Sequence, residues 1–252
     1  MTAPRGTALI TGAGRRIGRA LALAVAKAGF DVAIHHLQSH EDAESLAAEI
    51  AALGRSTHVL SADLSVEAET RALIGKATQA LGPVTLLINN ASIFEDDRVE
   101  TFDAQSWGSH MEVNLHAPLM LAQTFAAALP QDRHGLIINL LDQRVWNPNP
   151  QFFSYSLSKA ALWTATRTMA QALAPRIRVN GIGPGPTLPS IHQTQAMFDA
   201  EAAHVPLERR AQPSEIVAAA LYLIDAPSVT GQMIAVDGGQ HLSWRTPDIV
   251  HD

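Results

Sequence analysis

Two residues that could move a proton lie four positions apart in the second half of the chain. Tyr155 and Lys159 fall within an Ala- and Leu-rich stretch of helical period, which predicts a helix over Phe153–Leu173. Residues four apart share a helix face, so the phenol and the ammonium group should lie side by side. A phenol has an ordinary pKa of about 10, and a neighbouring ammonium group moves that pKa towards neutrality. The pair therefore suggests acid–base chemistry, although the same spacing also fits an ordinary amphipathic helix.

A glycine-rich loop stands near the start of the chain. The segment Thr11–Gly18, called the glycine loop below, follows the first predicted strand and opens the first predicted helix. Gly12 and Gly14 would let backbone N–H groups approach a pyrophosphate at the helix N-terminus. The spacing departs from the usual dinucleotide fingerprint, because Ile17 occupies the third glycine position. Alone, the segment could be a tight turn; its place at the start of a βαβ series favours cofactor binding.

The end of the second predicted strand indicates which dinucleotide would fit. An NAD site places an acid there, which accepts hydrogen bonds from the ribose hydroxyls. The segment Ile34–Ser39 contains no acid, and Asp31 lies at the opposite end of the strand. His36 and Ser39 of this segment are predicted to contact the cofactor, and Arg15 is able to reach a 2′-phosphate. NADP is therefore favoured over NAD, unless Arg15 is simply a solvated side chain.

The elements that must position these residues form a regular series. Short apolar, β-branched runs alternate with longer segments of helical period, as in repeated βα units whose parallel sheet is covered on both faces. The sequence predicts an α/β fold, a single doubly wound Rossmann-type domain over 1–252 with a mostly seven-stranded parallel sheet flanked by helices. The predicted strands are Thr7–Thr11, Asp31–Ile34, Thr57–Ser61, Thr85–Asn89, Leu136–Leu140, Arg178–Gly181 and Met233–Val236. The predicted helices are Ile17–Ala28, Glu41–Leu53, Glu67–Leu81, Ser106–Ala128, Phe153–Leu173 and Ser214–Leu223.

One region, Gly183–Pro206, breaks this series. It begins with a Pro- and Gly-rich run and continues with a weak helical stretch. A segment of this length inside a compact domain is usually a functional lid. We therefore expect it to shape the substrate pocket and call it the substrate loop.

Composition excludes several classes of function. The chain of 252 residues has a net charge of −6 and no long basic run, so no nucleic-acid partner is expected. It contains no cysteine, which excludes disulfides and cysteine nucleophiles, and the spacing of its 11 histidines does not predict a metal site. Residues 1–6 lack the apolar stretch of a signal peptide, and no apolar run of about 18 residues follows. We expect a cytoplasmic protein that does not enter the membrane.

Taken together, these motifs resemble the short-chain dehydrogenase/reductase family in their order and spacing, over nearly the whole chain. The resemblance implies hydride transfer with a nicotinamide cofactor, with Lys159 also bonding the nicotinamide ribose and Asn114 holding a water that links Lys159 to solvent. It further implies a dimer or tetramer that packs through the helices after the fourth and fifth strands. The matching residues are Thr11–Gly18, Asp63, Asn89–Ala91, Asn114, Tyr155–Lys159, Pro184–Gly185 and Val236–Gly239.

Two departures from the family pattern are similar to those of the pteridine reductases, which reduce dihydropterins and folates with NADPH. Arg16 stands where the family usually has glycine, and Asp142 stands where it has a catalytic serine. That branch also carries Asn-Asn-Ala-Ser followed by an aromatic residue, matched here by residues 89–94. It often has an arginine near Gln38, which this chain lacks.

Asp142 is the residue that points to a substrate class. Reducing a C=N bond needs a hydride at carbon and a proton at nitrogen, and a carboxylic acid can donate that proton or orient a water that does so. Phe94 could stack on a flat bicyclic ring, and Arg16 would face the pterin or the phosphates. Asp142 could instead cap a loop, and Phe94 could be a core aromatic residue. Asp96–Arg98 are expected to form a solvated loop without a role.

The function predicted from the sequence is NADPH-dependent reduction of a pterin or dihydrofolate-like C=N bond by a homotetramer. A carbonyl or 3-oxoacyl thioester reductase, and a non-catalytic NADP-binding sensor, are the alternatives; a sensor would be expected to lose Tyr155 or Lys159. The predicted catalytic residues are Asp142, Tyr155, Lys159 and Asn114, and the predicted substrate contacts are Arg16, Phe94, Asp142 and Tyr155. The predicted cofactor-binding residues are Gly12, Gly14, Arg15, Arg16, Ile17, His36, Ser39, Asp63, Leu64, Asn90, Ala91, Tyr155, Lys159, Pro184 and Gly185.

Overall fold

Seven parallel strands form one sheet in the computed structural model, which describes residues 5–190 and 193–244. The order across the sheet is β3-β2-β1-β4-β5-β6-β7, so the chain changes its direction of progress between β1 and β4. This is the doubly wound arrangement predicted from the sequence, and its switch point opens a crevice at the carboxyl ends of the strands. The strands are β1 (Thr7–Ile10), β2 (Asp31–His36), β3 (Thr57–Ser61), β4 (Val84–Asn89), β5 (Gly135–Leu140), β6 (Ile177–Pro184) and β7 (Met233–Val236).

Helices cover both faces of the sheet. Neighbouring residues of β1 belong to opposite cores: Ile10 packs under the helices on one face of the sheet, and Leu9 packs under the helices on the other. Because both faces are buried, the strands read as continuous apolar runs instead of alternating ones. The helices are α1 (Arg16–Lys27), α2 (His40–Ala52), α3 (Glu67–Leu81), α4 (Ala104–Met111), α5 (Ala117–Ala128), α6 (Phe153–Leu173), α7 (Gln195–Ala203) and α8 (Pro213–Asp225).

The prediction of a helix near Ser106–Ala128 is confirmed, but a π-helical turn interrupts its α-helical pattern. α4 ends at Met111, a π-helical turn covers Glu112–His116, and α5 then begins. Pro118 accounts for the break, since proline has no N–H to donate to the carbonyl four residues earlier and its ring crowds that carbonyl. The wide turn carries Asn114, one of the predicted catalytic residues.

A buried polar chain fixes α6 on the sheet. Asn89 of β4 and Asn139 of β5 are register partners, and the Asn89 amide donates to the Asn139 side chain at 2.8 Å. The Asn139 amide in turn donates to the Thr166 hydroxyl of α6 at 2.8 Å. Buried polar groups need such partners, so these hydrogen bonds help to fix the position of α6 on the sheet.

The substrate loop begins with Gly183 and Pro184, the last two residues of β6, and contains α7, which matches the weak helical stretch predicted there. Residues 191 and 192 of this loop lie outside the described residues, as do 1–4 and 245–252 at the ends of the predicted domain. Among the helices that the structure describes, none has the length and apolar character needed to cross a lipid bilayer. Within the same residues, no group of three or more His, Asp or Glu side chains is placed to hold a metal ion.

Candidate active site

The predicted pair of Tyr155 and Lys159 lies in the first two turns of α6, against the carboxyl end of β5. Tyr155 is 6% exposed and Lys159 is 2% exposed. The Lys159 ammonium group donates to the carbonyl oxygen of Leu140 at 2.7 Å, and its nitrogen lies 5.7 Å from the centre of the Tyr155 ring. The two side chains therefore share one buried space, as their spacing on the helix predicts.

Asp142 follows β5 directly and faces the Tyr155 hydroxyl. The phenol donates a hydrogen bond of 2.8 Å to Asp142 Oδ2. The other carboxyl oxygen accepts from the backbone N–H of Arg144 at 2.8 Å and so caps a short 3₁₀ turn, Gln143–Val145. The carboxyl group thus caps the loop, which was one of the two alternatives for Asp142, and it also lies next to the candidate proton donor.

Burial shifts the proton equilibria of all three groups. Burial raises the pKa of Asp142, and the N–H and the charge of Arg144 offset part of that shift. Burial and the adjacent Asp142 carboxylate raise the pKa of Tyr155 well above its ordinary value. Burial lowers the pKa of Lys159 to about 8. Within the protein, burial and Asp142 therefore outweigh the effect of Lys159 on the pKa of Tyr155, and Tyr155 is held as the neutral phenol.

Asn114 organises the loop after β4. Its side-chain oxygen accepts from the N–H of Ile93 at 2.8 Å, and its amide donates to the Ile93 carbonyl at 2.9 Å. The same amide donates to the Ser158 hydroxyl of α6 at 3.2 Å. Asn114 therefore ties the loop after β4 to α6 at Ser158, the residue next to Lys159 in the sequence.

Two phenylalanines form a flat surface beside the pair, named here the aromatic wall: Phe94 and Phe152. Their rings stack with centres 4.1 Å apart at an angle of 12°. Phe94 also meets the Tyr155 ring edge-on at 4.7 Å. The predicted stacking residue is thus beside the candidate proton donor, with one of its two faces taken by Phe152.

The glycine loop packs so closely on the segments after β4 and β2 that side chains at two of its glycines would crowd their neighbours. Gly12 has a φ of +62°, and a Cβ there would lie 3.1 Å from the Cα of Ala91. A Cβ on Gly14 would lie 2.7 Å from the Ser39 hydroxyl. Asn90 holds the loop from the other side by donating to the carbonyls of Thr11 and Gly12 at 2.9 and 3.1 Å. This close backbone approach at the start of α1 fits a dinucleotide pyrophosphate.

The end of β2 holds a buried imidazole that is unsatisfied. His36 is 4% exposed, and neither of its ring nitrogens has a hydrogen-bond partner among the described residues. Its ring centre lies 5.4 Å from that of His40, at the start of α2. Such orphaned groups are rare in folded proteins, so this site would suit an additional polar ligand.

The neighbouring predicted cofactor residues lie around the same end of the sheet. Arg15 is exposed and forms an ion pair with Asp42 at 2.5 Å. Asp63 accepts from the N–H and hydroxyl of Ser65, while Leu64 beside it is buried. Gly185 lies near the start of the substrate loop, and its N–H donates to the carbonyl of Val236 at 3.1 Å. The remaining two of the set are Ile17, which packs on the core below the glycine loop, and Pro184, the last residue of β6.

Arg16 makes a contact that the sequence did not predict. It adopts a left-handed backbone with φ of 53°, unusual for a side chain other than glycine. Its guanidinium donates to the carbonyls of Leu188 and Pro189 at 3.2 and 2.9 Å. The glycine loop is therefore joined directly to the substrate loop by the Arg16 side chain. The left-handed backbone, in turn, explains why a glycine would suit this position.

Two supporting residues were missed from the sequence. Asp97, expected in a solvated loop, is buried and accepts from the N–H of Ser154 and the hydroxyl of Ser106, both at 2.9 Å. His110 of α4 is buried and accepts from the N–H of Glu95 at 3.2 Å. The expectation of a solvated loop was wrong for Asp97. A run of charged residues does not reveal that one of them will accept a hydrogen bond from the N-terminus of a distant helix.

Comparison with known proteins places the chain in a family. A family model described as short chain dehydrogenase matches residues 6–199. The chain is 31% identical over 241 residues to the 3-oxoacyl-(acyl-carrier-protein) reductase FabG of Staphylococcus epidermidis, covering 94% of this chain and 99% of the relative. The chain belongs to the short-chain dehydrogenase family and is an oxidoreductase of that family, which confirms the resemblance seen in its motifs.

Two solved structures show the likeness in three dimensions. FolM Alternative dihydrofolate reductase 1 from Brucella canis, complexed with NADP, is 49% identical with a TM-score of 0.94, and the match covers 98% of each chain. A blue fluorescent protein from a metagenomic library, in complex with NADPH, is 29% identical with a TM-score of 0.87, covering 94% of this chain and 98% of that one. The fold of this chain is therefore shared with two proteins whose solved structures contain NADP or NADPH.

Proposed function

We propose that the protein uses NADPH to reduce a C=N bond in a pterin or dihydrofolate-like ring. The observation that carries this proposal is the 2.8 Å hydrogen bond between the Tyr155 hydroxyl and the Asp142 carboxyl. A carboxylic acid beside the phenol can deliver a proton to a ring nitrogen, which C=N reduction requires. The 49% identity to a dihydrofolate reductase of the FolM type supports the same substrate class.

NADPH is the proposed cofactor, and two features support it: the glycine loop and the buried His36 imidazole at the end of β2. Gly12, Gly14 and the start of α1 would hold the pyrophosphate, while Asn90 and Ala91 would line the cleft beyond it. Arg15, His36 and Ser39 would lie towards the 2′-phosphate, and Asp63 and Leu64 towards the adenine. When bound, NADPH supplies the hydride that adds to the carbon of the C=N bond.

The protein's own residues then supply the proton. The raised pKa of Asp142 lets its carboxyl hold a proton nearer neutrality than an ordinary aspartic acid. Tyr155, hydrogen-bonded to that carboxyl, is kept as a neutral phenol that can donate to the substrate nitrogen. The proton lost from Tyr155 is replaced from Asp142, so the two groups act as one donor. Lys159 places a positive charge beside the phenolate that forms, and Asn114 would link Lys159 to solvent.

The substrate ring is assigned to the aromatic wall and the substrate loop. Phe94 offers an aromatic surface next to Tyr155, and flat rings pack well on such a surface. Arg16 holds the substrate loop near the glycine loop through two carbonyl groups. We propose that Arg16 and Phe94 contact the substrate, on the sides of cofactor and wall respectively.

A second candidate is a 3-oxoacyl thioester or other carbonyl reductase. It is favoured by the 31% identity to FabG of Staphylococcus epidermidis over nearly the full length of both chains. Asp142 argues against it, because the serine that the family has at this position would donate its hydroxyl hydrogen to a carbonyl oxygen. A non-catalytic NADP sensor is disfavoured because Tyr155 and Lys159 are both present and both buried in the site.

A substrate panel tests these alternatives. NADPH oxidation is followed with dihydrobiopterin, dihydrofolate and a 3-oxoacyl thioester, and each is repeated with NADH. We expect turnover with NADPH and a dihydropterin or dihydrofolate, and kcat/KM at least tenfold lower with the thioester. Turnover of the thioester alone would establish the second candidate, and a bound cofactor with no turnover of any substrate would favour the sensor.

We further propose that the enzyme is a homotetramer. The proposal rests on the family resemblance, in which the helices after the fourth and fifth strands pack against a second copy. Light scattering on the purified protein should give four times the 27.0 kDa chain mass. A mass of one chain would contradict it.

A further inference from the structure

Arg144 is a largely buried cation in the site with no role in the reaction described above. It follows Asp142 by two residues, and its side chain is 13% exposed. Its guanidinium donates to the Asn149 side chain at 3.0 Å and to the carbonyl of Gln151 at 3.3 Å. Arg144 therefore spans from the turn after β5 to the segment that leads into α6.

The guanidinium also packs on the aromatic wall. Its central carbon lies 5.1 Å from the Phe152 ring centre and 5.8 Å from that of Phe94. A cation within about 6 Å of an aromatic face is attracted by the ring's quadrupole. Phe152 has a left-handed backbone with φ of 53° at the N-terminus of α6, a conformation that costs energy for an aromatic residue. Arg144 is placed to hold this ring in that position.

Arg144 is also a charge next to the proton donor. Its Nε lies 4.0 Å from Asp142 Oδ1, and its backbone N–H donates to the same oxygen at 2.8 Å. At this distance, with both side chains mostly buried, a positive charge favours the carboxylate over the carboxylic acid. A buried carboxyl without such a charge would hold its proton more tightly.

Among the described residues, two further groups act on this carboxyl, and both come from α6: the Tyr155 hydroxyl through its hydrogen bond and Lys159 through its charge. Two acidic residues on loops at the same end of the sheet are paired with basic ones. Asp96 pairs with Arg98 in the loop after β4, and Asp237 pairs with His241 in the turn after β7.

We propose that Arg144 is a positioning residue that joins the proton donor and the ring-stacking surface into one unit, acting through Asp142 and through the aromatic wall. This inference rests on the proposed function, because it assigns Arg144 a purpose within that site. It gives a reason for a buried arginine at this point: Asp142 must release its proton to Tyr155 within the working pH range. A flat substrate would then meet a wall whose position is fixed relative to the donor.

The test measures the proton affinity of Asp142 without any turnover. The carboxyl carbons of aspartate are labelled with ¹³C and titrated by NMR, and the Asp142 signal is assigned by its loss in Asp142→Asn. We expect Arg144→Met to raise the pKa of Asp142 by about one pH unit, and Arg144→Lys to keep it within a few tenths of a unit of the wild-type value. Arg167→Met is the matched control, because Arg167 lies 5.8 Å from the Trp163 ring on the exposed side of α6.

A second readout tests the wall. With the dihydropterin or dihydrofolate that turns over, Arg144→Met should raise KM several-fold and move the alkaline limb of the kcat/KM profile to higher pH. Arg144→Lys should keep the alkaline limb at its wild-type pH, because the charge remains. Its KM should lie between the values of the wild type and of Arg144→Met. Arg144→Gln, which keeps a polar group for Asn149, gives the same NMR reading should the methionine variant not fold.

An unchanged pKa of Asp142 in folded Arg144→Met or Arg144→Gln would overturn the proposal. A shift in Arg167→Met equal to that in Arg144→Met would overturn it too, since the effect would then be general. The NMR titration needs no substrate. Absence of turnover with every pterin and folate would therefore reject the proposed function, while the effect of Arg144 on the pKa of Asp142 could still be measured.

Discussion

The Asp142 carboxyl and the Tyr155 phenol share a hydrogen bond of 2.8 Å in a mostly buried space, and each binds its proton more tightly there than in water. Such a pair can release one proton to a substrate and still keep the other between its oxygens. An enzyme with serine in place of Asp142 would have one proton fewer to give. The chemistry proposed for this site thus rests on one substitution next to a tyrosine and a lysine that the family shares.

The buried ammonium group of Lys159 makes a testable contribution to stability. Its pKa is about 8 in the folded protein against 10.5 ordinarily, so between these values the unfolded chain binds more protons than the folded one. The free energy of unfolding must therefore rise with pH across this window, by on the order of 3 kcal/mol at most. Below pH 8 the slope disappears because both states are protonated.

Chemical denaturation of the wild type and Lys159→Met from pH 7 to pH 10.5 checks this. The methionine variant should lack the rise, while its lost hydrogen bond to Leu140 changes stability by a constant amount at every pH. Parallel curves for the two proteins would show that Lys159 is not perturbed by burial.

At this scale the sequence predicts some residues and not others. Tyr155 and Lys159 are recognisable because their types and spacing carry chemistry, and Asp142 because it stands where the family has a serine. The structure brings all three together. Arg144 is not recognisable, because its contacts depend on how residues 147–152 fold back over the turn after β5. The raised pKa of Tyr155 could not be predicted from the sequence either, because burial depends on the whole surrounding structure.

Among the elements, α6 carries the pair, and a capping residue from a distant loop holds its first turn. Asp97 accepts from the N–H of Ser154, next to Tyr155, and also from the Ser106 hydroxyl of α4. The loop after β4, the start of α4 and the start of α6 are therefore fixed to one another by one carboxylate. Movement of this cap would move Tyr155.

Removing the cap should affect both stability and catalysis. Asp97→Ala should lower the free energy of unfolding by about 2 kcal/mol, because a cap is lost and buried partners are left unpaired. It should also lower kcat with the substrate that turns over. The matched control is Asp103→Ala, which removes the exposed cap of α4 and should cost about 1 kcal/mol without changing kcat. Equal effects of the two variants on kcat would contradict this role for Asp97.

The element boundaries show what periodicity can and cannot give. The strands and most helices lie where apolar runs and helical period place them, since those patterns reflect burial. The break between α4 and α5 was missed, although Pro118 was a signal for it, because the apolar period continues unchanged through the π-helical turn. A proline at that point in a long helical pattern deserves more weight than the period itself.

Across the whole molecule, the switch in strand order brings the glycine loop, the end of β5 and the start of α6 to one edge of the sheet. Residues 12, 90, 142 and 155 meet there although they are spread over more than half of the chain. A ligand that binds across these segments stabilises the folded state according to its affinity. The choice of cofactor can therefore be read from thermal unfolding without any reaction.

NADPH should raise the melting temperature more than NADH at equal concentration. A cofactor at about 100 times its Kd adds about 2.7 kcal/mol, which corresponds to several degrees for a protein of this size. His36→Asp should narrow the difference, because an acid at the end of β2 repels the 2′-phosphate and accepts from the ribose of NADH. Equal shifts by the two cofactors in the wild type would contradict the proposed NADP preference.

The fold class follows from the sequence because the order of βα units, and the glycine loop at their start, admit few alternatives. The substrate loop is different. Its contact through Arg16 to the carbonyls of Leu188 and Pro189 depends on backbone groups, which leave no trace in the pattern of side chains. The shape of the pocket could therefore not be derived from residue types, although its place in the chain could.

The central claim is that Asp142, acting with Tyr155, makes this site a C=N reductase. It is tested most directly by comparing the wild type with Asp142→Ser, using kcat/KM for NADPH-dependent reduction of dihydrobiopterin or dihydrofolate and of a 3-oxoacyl thioester. The account predicts that the serine variant loses about a hundredfold or more with the pterin or folate substrate, the scale of a lost general acid, while turnover of the thioester is unchanged or improved. Wild-type pterin or folate reduction by Asp142→Ser would contradict the account.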